Sequence, residues 1–228
     1  MNQTMKSFWA GVRAGSPLLV GVFPFGLIYG ALALGAGLSP AAAQMMSSIV
    51  FAGSAQFVAV QLVHESAPGL IIVLTIAVVN LRHMLYSASI APYIEHLPMR
   101  LKTFLAYLLT DEAYATAIIH YEKEELTATS HWFFLGAGLG LWTTWQVSTA
   151  LGIFLGAAIP SSWPLDFAAP LTFIAMVVPV CKDKPVVAAA LSAGTVALLA
   201  FNLPFKLGLI LAALVGIVIG TVLENRKA

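Results

Sequence analysis

Residues 67–93 read APGLIIVLTIAVVNLRHMLYSASIAPY, with Asn80, Arg82 and His83 near the centre and apolar runs on either side. A helix needs roughly 20 apolar residues to cross the hydrocarbon core of a bilayer. This stretch is long enough, yet an Arg at its midpoint costs about 2.5–3.5 kcal/mol on insertion scales. Arg82 must therefore face the interior of a bundle, or a wet cavity, and meet a partner there. The stretch predicts an all-α membrane protein that keeps polar groups inside its hydrophobic spans.

The rest of the chain agrees. Of 228 residues, 60% are hydrophobic and 9% charged, and the mean hydropathy is +0.91. Soluble domains run nearer ~25% charged and ~45–50% apolar. Too little polar surface is present to cover a globule in water, so lipid is the solvent for much of the exterior. The net charge of +1 supplies no basic stripe for phosphates, which argues against nucleic acid. Cys181 is alone, excluding an internal disulfide or a thiolate cluster. No His and carboxylate set has a standard metal spacing, and no serine or cysteine sits in a nucleophile motif. With no nucleotide-binding loop either, no cofactor and no enzyme activity are expected. The start of the chain carries Lys6 and Arg13 without a cleavage-site pattern, so the first span is expected to be retained.

Hydropathy predicts a polytopic bundle of about seven or eight spans. The candidates are Leu18 to Gly37, Ala41 to Val63, Ala67 to Tyr93, Thr103 to Tyr121 and His131 to Ala158. Shorter pieces follow at Asp166 to Cys181, Pro185 to Leu203 and Lys206 to Leu223. The hydrophilic stretch Tyr121 to Ser130 divides a single membrane domain, 1–228, into candidate halves 1–121 and 131–228. Lys6, Arg13, Arg226 and Lys227 predict that both ends are cytoplasmic. On eight crossings Lys182 and Lys184 also fall inside, but Arg100 and Lys102 land outside. Either the rule is weak here, or one early segment enters and leaves on the same side.

Small residues recur four apart at Gly26 and Gly30, Gly136 and Gly140, Gly152 and Gly156, and Gly216 and Gly220. Such spacing predicts close helix packing in lipid. Prolines at Pro24, Pro92, Pro170, Pro179 and Pro204 predict kinks or breaks. Asn80-Leu81 is echoed by Asn202-Leu203, a faint sign of an internal repeat.

On the third span, Arg82, Tyr86 and Ser89 share one helical stripe, and Asn80, His83 and Ser87 a neighbouring one. Asp111 and Glu112, in the fourth, are expected mid-helix and about 100° apart, so that one pairs with Arg82 while the other titrates. Two readings compete. Arg82 and its partner are either a buried strut that fixes helix register, or, with His83, a proton relay or substrate gate. In the second span, Gly53, Ser54, Ala55, Gln56 and Phe57 form a poor lipid-facing helix. Unwinding at Gly53 would free amides and carbonyls for a carboxylate and an ammonium group. Close packing through Gly53 and Ala55 is the plainer alternative. His64, Glu65 and His120 read as span ends, and Trp142, Trp145 and Gln146 as core.

Four segments together resemble the AzlC family, the large subunit of bacterial branched-chain amino-acid exporters. They are Pro24-Phe-Gly-Leu-Ile-Tyr-Gly30, Gly53-Ser-Ala-Gln-Phe57, Asn80-Leu-Arg-His83 and Leu109-Thr-Asp-Glu-Ala113. The C-terminal half is similar in length and hydropathy alone. The resemblance implies a multi-pass exporter in the bacterial inner membrane for valine, leucine and isoleucine, with methionine a further candidate. It also implies a small hydrophobic partner of the AzlD type. Joined to the residues, it predicts an amino acid held near Gly53 to Phe57 and Asn80, with Arg82, His83, Asp111 and Glu112 coupling protons. A passive facilitator and a non-transporting scaffold are the alternatives.

Overall fold

The computed structural model describes residues 2–123, 127, 129–156, 181–203 and 207–225. Most of the candidate span Asp166 to Cys181 lies outside these, as do Pro170, Pro179, Pro204, Arg226 and Lys227. Among the described residues the chain is helical and without strands, as expected. The helices are α1 (Gln3–Gly35), α2 (Pro40–Ile49), α3 (Gly53–His64), α4 (Gly69–Val79) and α5 (Arg82–Ile94). They continue with α6 (Met99–Tyr107), α7 (Asp111–Lys123), α8 (Ser130–Gly156), α9 (Lys184–Leu199) and α10 (Leu207–Asn225).

The frame is the pair α1 and α8, parallel and in contact along their length. A Cβ on Gly11 would strike the Phe133 carbonyl, one on Gly26 the Ser148 hydroxyl, and one on Gly30 the Thr149 carbonyl. Reciprocally, Gly136 lies on the Phe8 carbonyl, Gly152 on that of Leu27 and Gly156 on Ala31. Both helices present small residues where their backbones meet, because packing rather than water exclusion holds helices together in lipid. The expected close-packing glycines are thus explained within the chain, Gly140 excepted, whose nearest neighbour is a Val12 methyl at 3.8 Å. Gly216 and Gly220 do the same work for α10, against Ala189 and Ala193 of α9. The α1–α8 seam also explains why α1 starts at Gln3 instead of Leu18: its first turns are laid along the start of α8, where Ser7 Oγ donates to the Thr129 carbonyl at 3.0 Å.

The second and fourth candidate spans are not continuous helices. Each breaks at its centre, at residues 50–52 and 108–110, and its second leg turns back. In the first hairpin, α2 descends from beside Tyr29, whose hydroxyl donates to the Ala43 carbonyl at 2.9 Å. Gly53 then lies against Trp145, and Phe57 of α3 packs on both Phe25 and Tyr29, so α3 climbs again. In the second hairpin, Leu108 reaches Gly138 of α8 and Tyr107 reaches Trp142, whereas His120 stacks on Phe133 back near the start of α8. The two hairpins enter from opposite faces and their tips meet, with Phe51 and Tyr107 ring centroids 6.1 Å apart. Such irregular backbone is tolerated at membrane depth only when protein or a cavity surrounds it.

Between the hairpins runs α4–α5, an apolar rod over Gly69–Ile94 that is long enough to cross a membrane. A short turn at Asn80 and Leu81 interrupts it, closed by His83 N–H to the Asn80 carbonyl at 2.9 Å. Leu70, Val73, Leu81, Met84 and Leu85 stand outward from the rod. Its end and both ends of the α6–α7 hairpin share the face that holds Lys6 and Arg13, since Tyr121 reaches the Ser130 carbonyl there. Arg100 and Lys102 therefore share a face with Lys6 and Arg13. Of the two alternatives left open by the sequence, this is the one in which an early segment enters and leaves on the same side: the α6–α7 hairpin does so.

Candidate functional site

The two breaks and the turn at Asn80-Leu81 converge on a cavity of about 260 Å³ beside residues 17–25 of α1, near that helix's midpoint. Its walls are apolar, with Val22, Phe25, Phe51, Phe57, Leu141 and Trp145. One end is polar, formed by Ser54, Arg82, His83, Thr110, Asp111 and Glu112.

Arg82 organises that end. Its Nη1 donates to Asp111 Oδ2 at 2.7 Å and its Nη2 to Ser54 Oγ at 2.6 Å. One guanidinium thereby ties the first turn of α3 to the first residue of α7. The expected pairing with Asp111 or Glu112 is made with Asp111. At 27% and 30% exposed, the two side chains remain open to the cavity. The stripe Arg82, Tyr86 and Ser89 faces α7 throughout: Tyr86 stacks on Tyr114 at 4.6 Å, and Ser89 Oγ lies 3.0 Å from the Tyr114 hydroxyl.

The carboxylates do not lie mid-helix. Asp111 begins α7, so Asp111 and Glu112 occupy its first turn, where unpaired amides and the helix dipole favour negative charge. The α3 start has the same need, and its own residues do not meet it. Ala52 precedes it in an extended conformation (φ −153°, ψ 95°) and supplies no side-chain cap. The first intrahelical bond recorded there is Gln56 N–H to the Ala52 carbonyl, which leaves the amides of Gly53, Ser54 and Ala55 ahead of it. Gly53 is glycine because a Cβ would come 3.0 Å from the Trp145 ring.

Sequence reasoning expected free carbonyls at this break as well. They are taken. Gln146 Nε2 donates to the Ser47 carbonyl at 3.1 Å and the Tyr107 hydroxyl to that of Ser48 at 2.5 Å. The α2 end is thus partly capped by side chains from α6 and α8.

Of the residues expected to hold substrate, Gly53, Ser54 and Phe57 line the cavity, while Ala55, Gln56 and Asn80 do not. Ala55 and Gln56 are fully buried on the far side of α3, and Asn80 closes the α4–α5 turn. Arg82, His83, Asp111 and Glu112 all reach the cavity. Thr110, Trp145 and the α1 face from Pro17 to Phe25 were missed as wall. Gly21, where an added Cβ meets nothing within 4 Å, was the weak signal for that face. Four polar atoms on the lining residues are buried without a protein partner: Arg82 Nε, His83 Nε2, Asp111 Oδ1 and Trp145 Nε1. A donor and an acceptor on the central ion pair are thus uncommitted, above a greasy wall.

The family model described as AzlC protein matches residues 17–159, which contain the whole cavity. An uncharacterized membrane protein of Archaeoglobus fulgidus is 33% identical over 224 residues, covering 95% of this chain and 96% of that one. Inner membrane protein YgaZ of Escherichia coli is 28% identical, over 94% of this chain and 88% of its own length. An uncharacterized membrane protein of Helicobacter pylori strain 26695 is 27% identical over 69% of this chain and 68% of its own. No solved structure matches the chain.

Proposed function

Because the chain belongs to the AzlC family, we propose that it is a secondary active exporter of branched-chain and related neutral amino acids in the cytoplasmic membrane. The observation that carries this reading is the amphipathic cavity. Its polar end pairs a guanidinium with a carboxylate at the start of a half-helix, and its walls are aliphatic and aromatic.

A zwitterion fits that polarity. The substrate carboxylate faces Arg82 and the amides at the start of α3, as anions do at helix N-termini. The ammonium group faces Asp111 Oδ1. The aliphatic side chain lies among Val22, Phe25, Phe57 and Leu141. At about 260 Å³ the space is below the ~300–1,000 Å³ of sites for drug-sized ligands, which suits a small solute. The walls away from the polar end carry no charged group, so they favour an uncharged side chain.

Energy comes from an ion gradient, most simply protons. One proton moving down 100 mV supplies about 2.3 kcal/mol, some 40–50-fold in concentration. Asp111, Glu112 and His83 are the groups that exchange it, with Arg82 released from Asp111 as substrate or proton arrives. A small apolar subunit of the AzlD type works beside this chain.

The test is efflux of labelled leucine from loaded cells, with this chain and the small subunit together and each alone. Export requiring both supports the reading. Leucine flux indifferent to an imposed proton gradient would make the chain a passive facilitator. Absence of both flux and any amino-acid-induced thermal shift would make it a scaffold.

A further inference from the structure

A second cavity of about 200 Å³ lies between α5, α6 and α8 on the side of Lys6 and Arg13, expected to be cytoplasmic. Three observations connect it to the central one. It lies along the face of α5 that carries Ser87, Ile90 and Ile94, which continues at helical spacing from His83 in the central cavity. The two spaces are also parted by adjacent residues at the tip of the α6–α7 hairpin: Thr110 lines the upper one and Leu109 the lower. Finally, Glu95 and Lys102 stand at the lower end, and neither forms an ion pair with the other or with any described residue.

Resting on the export reading above, we propose that this second cavity is the loading site, where a zwitterionic amino acid is taken from the cytoplasm before it passes the hairpin tip. An acid and a base unpaired at the mouth match an ammonium and a carboxylate, and Ile90, Ile94, Leu109 and Phe134 receive the side chain. The chemistry repeats that of the central cavity, an opposite-charge pair over an apolar wall. The path between the two is short. From Glu95 to Arg82 is roughly 20 Å along α5, at 1.5 Å per residue. Only a non-helical tip, Leu108 to Thr110, has to shift for the two spaces to join, and it is held by packing: Leu108 and Leu109 are buried, and Leu108 lies so close to Gly138 that a Cβ there would come within 2.9 Å. A phospholipid with a zwitterionic headgroup carries the same pair of charges, so the test separates the two sources.

Single cysteines are placed in a Cys181→Ser chain, one as Ala106→Cys in the lower cavity and one as Gly21→Cys in the central one. The protein, with its small subunit, is reconstituted in vesicles of phosphatidylglycerol, and a membrane-impermeant thiosulfonate is added from either side. Leucine at ten times its dissociation constant should slow cytoplasmic-side labelling of Ala106→Cys by about tenfold. Adding Glu95→Gln with Lys102→Gln should remove that protection while leaving leucine protection of Gly21→Cys in place. Labelling of Ala106→Cys indifferent to leucine, with Gly21→Cys still protected, would overturn the loading site and leave the export reading standing. Protection at neither position would overturn both. Protection of Ala106→Cys by phosphatidylethanolamine without leucine would give the cavity to lipid and overturn the proposal.

Discussion

The hydroxyl of Tyr107, at the end of α6, donates to the carbonyl of Ser48 in the last turn of α2 at 2.5 Å and accepts from Trp142 Nε1 at 2.7 Å. These bonds join the tips of two hairpins that enter the bundle from opposite faces. Their consequence is positional. The α3 start and the α7 start, which carry Ser54 and Asp111, are held at one depth without relying on the substrate. Tyr107→Phe removes both bonds and should cost about 1–2 kcal/mol. The readout is a lower midpoint of thermal unfolding in detergent, with Trp142→Phe falling between the variant and the unmodified chain. A Tyr107→Phe chain that melts with the unmodified one would contradict the clamp.

The α1–α8 seam predicts a sharp contrast among glycines. Gly30→Ala forces a methyl into the Thr149 carbonyl, so the two helices must separate along a shared face. Gly35→Ala and Gly194→Ala meet nothing within 4 Å. Yield of folded protein and melting temperature should fall for Gly30→Ala alone. Overpacking of this kind costs typically about 1–3 kcal/mol.

The Arg82–Asp111 pair is open to two accounts, and stability separates them from transport. Removing one partner strands the other, at up to about 3–5 kcal/mol for a fully buried pair and less for this partly exposed one. The double change Arg82→Met with Asp111→Leu should therefore melt closer to the unmodified chain than either single change does. Leucine efflux should be lost in all three. A double variant that still exports leucine would make the pair a strut and nothing more.

Much of this was legible in the sequence, and the reason is energetic. An Arg at mid-bilayer demands an acid, so Arg82 pointed to Asp111 and Glu112 before any coordinates. The four-residue spacing of Gly26 and Gly30 pointed to close packing for the same kind of reason. The hairpins were not legible as such. Their legs are 9–13 residues, and an apolar run of about 20 reads as one span whether it crosses or folds back. Arg100 and Lys102 carried the warning, since they fitted only if an early segment returned to its own side. Tyr107 and Trp145 gave none, because an aromatic that caps a carbonyl or walls a cavity looks like any core aromatic. The faint echo between Asn80-Leu81 and Asn202-Leu203 has a physical counterpart: both pairs sit in turns where a helix stops.

Cavity size makes a prediction about substrate choice. Gly21 lines the central cavity with open space before it, so Gly21→Val fills volume without moving backbone. Each displaced methylene is worth about 0.8 kcal/mol, close to fourfold in affinity. Competition by unlabelled amino acids should show leucine, isoleucine and methionine losing ground to valine, with total folded protein unchanged. An unaltered preference would place the aliphatic side chain elsewhere.

The central claim is that this cavity moves a neutral amino acid at the expense of a proton gradient through Asp111 and Glu112. Its most direct test is leucine efflux from proteoliposomes holding this chain and its small subunit, under an imposed pH difference, for the unmodified protein, Asp111→Asn and Glu112→Gln. The account predicts gradient-driven efflux that at least one of the two substitutions uncouples or abolishes. Efflux of unchanged rate and pH dependence in both variants would contradict it.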